Sequence, residues 1–169
     1  MRDLSPRLPC PVCVGVQLGK TRIGAGGELV LDHCARCGGI WFELGEVQRL
    51  RRLQPDMLWS RIGERAAVSR TQCHSCHAPL DRDAEACASC GWRNALECPQ
   101  CLHAMTAEVH DGLRLDACRN CRGIWFDRAE LAAIWRASVD ASGRRAAVAA
   151  GPGLTPGDGA LIALDALTY

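Results

Sequence analysis

Cys34-Ala35-Arg36-Cys37-Gly38-Gly39-Ile40-Trp41-Phe42-Glu43 returns later in the chain as Cys118-Arg119-Asn120-Cys121-Arg122-Gly123-Ile124-Trp125-Phe126-Asp127. The likeness extends to either side: residues 29–50 align without gaps on residues 113–134, with Leu31 and Asp32 matching Leu115 and Asp116, and Glu46 matching Glu130. Upstream, Cys10-Pro11 with Cys13 matches Cys98-Pro99 with Cys101. Between the two cysteine pairs the first copy has 20 residues and the second has 16, so the loop around Gly24–Gly27 carries an insertion. Fixed ends with a variable middle mark two copies of one module.

The repeat also sorts the cysteines. All twelve fall in six C-x-x-C pairs, and each copy is complete with two of them. Cys73, Cys76, Cys87 and Cys90 are left as a third, shorter unit with ten residues between its pairs. Twelve cysteines are about 7% of the residues while aromatics are only 5%, so bulk for one large core is lacking and something besides burial must hold the chain. The segment before Pro9 has no apolar run of the kind a secretory signal needs. No stretch approaches the roughly 18 to 20 apolar residues of a membrane span. A cytoplasmic, reducing setting is therefore expected, in which paired cysteines are metal ligands rather than disulfides.

A C-x-x-C turn lets two sulfurs reach one ion, and two such turns brought together by a hairpin supply four thiolates in a tetrahedron, the closed geometry of structural zinc. The expected ligand sets are Cys10, Cys13, Cys34, Cys37; Cys73, Cys76, Cys87, Cys90; and Cys98, Cys101, Cys118, Cys121, for about three Zn²⁺ per chain. Iron of the rubredoxin kind would use the same thiolates, and spacing does not separate the two metals. Each zinc site supplies on the order of 10 kcal/mol of folding free energy, enough to hold modules of about 20 to 40 residues. Each module is then expected to fold on its own metal, so that loss of Cys34 unfolds the first ribbon and leaves the second copy intact.

Period-two leucines, Leu29 with Leu31 and Leu113 with Leu115, predict a short strand ahead of the second pair in each copy. Asp127 and Glu130 have capping-box spacing ahead of Leu131 and Ile134, and residues 43–50 are the weaker equivalent. The fold class is thus a small metal-stabilised α+β arrangement of three zinc ribbons, β-hairpins on C-x-x-C knuckles, with short helices after the first and third. The boundaries are a first ribbon with helix (8–54), a helical basic connector (55–70), a short central ribbon (71–94), the second copy with helix (96–139) and an Ala/Gly/Pro-rich tail (140–169). Pro55 is expected to end the first helix. Trp41-Phe42 and Trp125-Phe126 are expected to pack between ribbon and helix; the competing reading is a pair of aromatic platforms for a partner.

Cys-Pro-x-Cys, a hairpin, and the Cys34–Glu43 stretch with Glu46, together with its copy through Asp127 and Glu130, resemble the transcription-factor zinc-finger family of the TFIIB zinc-ribbon type, found in many short bacterial proteins. The resemblance covers roughly residues 8–52 and 96–136 and implies a zinc-ribbon fold with ligands at Cys10, Cys13, Cys34, Cys37 and at Cys98, Cys101, Cys118, Cys121. Arg122 stands where a glycine is common. The family name implies a transcription-related role by analogy only.

Other motifs are weaker. Cys73-His74-Ser75-Cys76-His77 has the haem-attachment pattern, but that chemistry needs export and leaves Cys87 and Cys90 without a role, so His77 is expected beside the zinc site or as an alternate ligand. Gly15 and Gly19-Lys20-Thr21 have three residues between the glycines where a phosphate loop has four. Thiol redox catalysis needs one exposed pair at a helix N-terminus, and here all pairs find partners. Closed four-ligand metals cannot activate water, so no enzyme activity and no small-molecule substrate are expected. Twelve thiolates and three Zn²⁺ would change the formal charge from +1 to about −5, which argues against nucleic-acid binding from overall charge. Arg49, Arg51, Arg52, Arg61, Arg65 and Arg70 form a local basic run, expected first as a solvated helical face, with a grip on phosphate or an acidic protein surface as the competing reading. The expectation is an adaptor for a protein partner, with nucleic acid as the alternative and no membrane.

Overall fold

The computed structural model describes residues 7–24, 26–52, 70–82, 84–110, 113–128, 130, 131 and 133. The first copy forms β1 (Gly19–Ile23), β2 (Leu29–His33) and β3 (Ile40–Phe42), followed by α1 (Glu46–Arg52). The central ribbon is the hairpin β4 (Arg70–Gln72) and β5 (Pro79–Asp81). The second copy repeats the pattern as β6 (Thr106–His110), β7 (Leu113–Ala117) and β8 (Ile124–Phe126), with residues 128, 130, 131 and 133 helical. The expected leucine strands are β2 and β7. The expected connector helix, Pro55 and the tail lie outside the described residues, and Arg70, at the end of the connector, opens β4. No described helix is long and apolar enough to cross a membrane.

The two copies share one six-stranded sheet, in the order β1-β2-β3-β8-β7-β6. This order reads the same from either edge, and its midpoint is the antiparallel pairing of β3 with β8, where Trp41 faces Trp125. The sequence alone predicts separately folding copies. The physical reason they join is that Ile-Trp-Phe is apolar on both faces, so neither strand suits a solvent-exposed edge, and each supplies the other's missing neighbour.

Alternation along the strand then divides the core in two. Ile40, Phe42, Ile124 and Phe126 face one side, where they meet Leu29, Leu31, Leu115 and Val47, with Leu50 and Leu131 of the helical turns packed against them. Phe42 and Phe126 meet edge to face, with centroids 5.2 Å apart. Trp41 and Trp125 face the other side, among Cys10, Cys34, Cys98, Cys118, Leu18 and Leu96. The aromatics therefore correct the sequence reading in part. The phenylalanines lie under the helices, while the tryptophans lie with the cysteine knuckles, and both pairs close the joint between copies.

The central hairpin docks on both copies. The Thr71 hydroxyl donates to the Val12 carbonyl (2.7 Å) in the first. Arg82, just past β5, pairs with Asp116 and with Asp127 of the second, the latter at 2.9 Å. Asn94 ties the hairpin's exit back on itself by donating to the carbonyls of Ala84 (2.8 Å) and Arg82 (3.0 Å).

Candidate metal centres

The six C-x-x-C turns are built from backbone hydrogen bonds before any metal is considered. At Cys34 the N–H donates to the Gly39 carbonyl (2.9 Å), and the Gly38 N–H returns to the Cys34 carbonyl (2.8 Å). The same pair of bonds recurs at Cys73, Cys87, Cys98 and Cys118. Closing so tight a loop puts the fourth residue after the first cysteine in the left-handed region: Gly38 and Gly91, but also His77, Leu102 and Arg122, each at φ 60°. The Cys10 turn is one residue longer, with Cys10 N–H donating to Val16 O (2.7 Å) and Gly15 at φ 73°. These turns also aim amides at sulfur, as from Cys13 N to Cys10 Sγ (3.3 Å) and from Cys37 N to Cys34 Sγ (3.5 Å).

The three ligand sets expected from the sequence are the three that the fold assembles, and in each the four Sγ atoms lie within 4.8 Å of one another. The sulfur pairs Cys10–Cys37 (3.8 Å), Cys73–Cys90 (3.7 Å), Cys76–Cys87 (3.7 Å), Cys98–Cys121 (3.5 Å) and Cys101–Cys118 (3.4 Å) are far too long for disulfides. A tetrahedron with Zn–S bonds of about 2.3 Å has edges of about 3.8 Å, so the spacing suits one such ion per set. Each of the three sites is able to hold one metal ion, for about three Zn²⁺ per chain.

Electrostatics point the same way. Hydrogen bonding from Cys10 holds the Cys34 thiol well below the usual range, while hydrogen bonding with Cys13 pushes Cys10 far above it. In the central set backbone N–H groups of Ser89 and Cys90 lower Cys87 to about 6, and in the third the His103 amide lowers Cys101 to about 5. Four thiols this close cannot all ionise side by side without a cation, and a divalent ion removes the conflict by favouring every thiolate at once.

His77 is not brought into the ligand set; it is the left-handed residue of the Cys73 turn, and Cys73 and Cys76 are completed by Cys87 and Cys90. Of the basic residues, Arg49 is exposed on α1 and Arg70 is exposed at the start of β4. Arg51 and Arg52 lie on α1 with side chains outside the described residues, as do Arg61 and Arg65 altogether. Arg70 lines a small cleft with Arg36, Cys13, Val14, Thr71 and Gln72.

Sequence reasoning missed the buried acids. Asp32 pairs with Lys20 (2.9 Å), which lies opposite it in the β1–β2 register. Its counterpart Asp116 lies opposite Ala107, and the cation comes instead from Arg82 of the central ribbon. Burial works against the Arg82 charge, but the carboxylates of Asp127 and Asp116 outweigh it. Asp127 also accepts the Trp125 indole N–H (3.0 Å), whereas Trp41 Nε1 has no partner among the described residues. The repeat-matched aspartates were the available signal, since a charge held in an apolar strand needs a partner.

Glu130 accepts the Asp127 N–H (2.7 Å) and Glu46 the Glu43 N–H (2.9 Å), the reach-back half of a capping box in both copies. Burial pushes Glu130 up to about 8 and Glu46 up to about 7.

With this geometry in place, comparison with known proteins gives one match. The family described as transcription factor zinc-finger, the TFIIB-type zinc ribbon, matches residues 9–52 and 97–137, half of the chain in two segments. No curated protein and no solved structure matches it.

Proposed function

The chain belongs to the transcription factor zinc-finger family, and from that premise we propose that it is a non-enzymatic adaptor of the cytoplasm that presents rigid zinc ribbons to a protein partner. The observation that carries this reading is that all twelve cysteines are taken up in three complete four-sulfur sets, leaving no ligand position open for a substrate or a water. Zinc that is fully ligated by protein has no open position at which to activate water, so it shapes the surface around it. What it shapes is a pseudo-symmetric six-stranded platform with a third ribbon latched across it. A role in transcription is the family's suggestion and needs a partner to support it.

Nucleic acid is the second reading. It is favoured by Arg36 and Arg70, both exposed, on the cleft between the first and central ribbons. Affinity purification of the native protein, with and without nuclease and with and without a zinc chelator, separates the two. A partner protein that survives nuclease and is lost on chelation supports the adaptor; association abolished by nuclease overturns it in favour of nucleic acid.

A further inference from the structure

The three cysteine sets are alike in chemistry and unlike in how far solvent reaches them. In the first set all four residues are buried, none above 6% exposed. In the third, Cys98 and Cys118 are buried and Cys101 and Cys121 are half-buried. In the central set Cys73 and Cys87 are buried, but Cys76 and Cys90 are exposed.

The cause lies in the sequence. The outer knuckles at Cys34 and Cys118 run straight into Ile-Trp-Phe, and Trp41 and Trp125 share one core cluster with the first and third sets. After Cys90 the chain reads Gly91-Trp92-Arg93 and adds no third strand to β4 and β5 among the described residues, and of those residues Leu80 alone is buried with the cysteines of the central set, with Ala78, Ala84 and Trp92 packed at the margin. The hairpin that carries it has two strands of three residues each. Small cores with few buried apolar neighbours open most readily.

We infer that the central set is the metal-exchange and thiol-modification site of the chain, with Cys76 and Cys90 the sulfurs that zinc-accepting chelators and soft electrophiles reach first. The inference rests on the zinc reading of these cysteines and goes beyond it by ranking them. An incoming chelator must approach the ion between its ligands, and only in this set are two of the four ligand residues exposed. With a maleimide the balance is simple. A sulfur lone pair of Cys76 or Cys90 adds to one alkene carbon, the other carbon takes a proton from water, and the resulting thioether has lost the negative charge that held the metal. The outer sheet keeps its eight cysteines and both halves of its core, so the central ribbon loosens first.

The test uses the full chain, with zinc quantified before any treatment. Challenge with pyridylazoresorcinol should release one zinc per chain about tenfold or more faster than the other two, as expected for the least protected site. A substoichiometric dose of N-ethylmaleimide should label Cys76 and Cys90 first by peptide mass spectrometry. The double variant Cys76→Ser, Cys90→Ser should lack the fast phase and retain two slowly released zincs. Release of all three at one rate, or first label on Cys101 or Cys121, overturns the ranking. Protein that carries no zinc on purification overturns the metal reading itself.

Discussion

The indole of Trp125 fills the space that a side chain at Gly39 would need, and by the pseudo-symmetry of the sheet Trp41 fills the space beside Gly123. Each copy thus lends its tryptophan to the other copy's glycine. Gly39 does not have a positive φ, so what is required there is the absence of a Cβ rather than freedom of the backbone. Gly39→Ala should cost about 1 to 3 kcal/mol in denaturant unfolding of the zinc-loaded protein, the range for overpacking a filled core. A change below about 0.5 kcal/mol, the level of an ordinary surface substitution, would show that the indole can move aside.

Because β3 and β8 complete one another, damage to one metal set should cross the joint. Cys34→Ser removes a ligand next to β3, and amide protection in β8 and β7 should fall along with that in the first ribbon. The separate-module expectation gives the opposite result, a second copy whose amide signals match the wild type. NMR hydrogen exchange on the two proteins distinguishes them.

Arg122 sits at φ 60° in a knuckle where the equivalent position of the first copy is Gly38. An L-residue in the left-handed region costs about 1 to 2 kcal/mol, partly offset because glycine loses more entropy on folding. Arg122→Gly should therefore stabilise the protein by roughly 0.5 to 1 kcal/mol. Gly38→Ala should destabilise it. If the midpoint of unfolding drops for Arg122→Gly, the arginine side chain makes a contact that outweighs the strain.

Arg82 places a single cation between Asp116 and Asp127, and the side chains of Arg82 and Asp116 are 7% and 4% exposed. Removing one partner of a buried pair leaves the other charge stranded, so Arg82→Met should cost about 3 kcal/mol or more. Ala107 stands opposite Asp116 as Lys20 stands opposite Asp32, so adding Ala107→Lys should recover part of the loss. No recovery in thermal unfolding would mean that Arg82 acts through the docking of the central ribbon rather than through its charge.

Glu130 is raised by burial from 4.5 to about 8. The folded state then holds a proton that the unfolded state has released, so this group's contribution to stability is complete below about pH 4.5 and is lost as pH rises through about 8. Glu130→Gln carries no such proton. Between about pH 5 and pH 8 the wild type should lose stability relative to the variant, in matched unfolding curves at saturating zinc, with no further change above that range. A pH-independent difference would show that Glu130 stays ionised in the fold.

The four-cysteine sets, the ribbon type, the strands β2 and β7 and the capping glutamates were all legible in the order of residues alone. Those features are governed by residues close together along the chain, where C-x-x-C spacing and period-two leucines leave few alternatives. The residue order did not determine that the copies fuse through Ile40–Phe42 and Ile124–Phe126, nor that Arg82 replaces the cation missing opposite Asp116. Both depend on contacts between segments remote in sequence, and a glycine that makes room for a distant indole looks the same on the page as one that makes a turn. That two similar modules are halves of one sheet emerges from the packing in space, because a strand that is apolar on both faces makes a poor free edge and the identical strand of the other copy fits it.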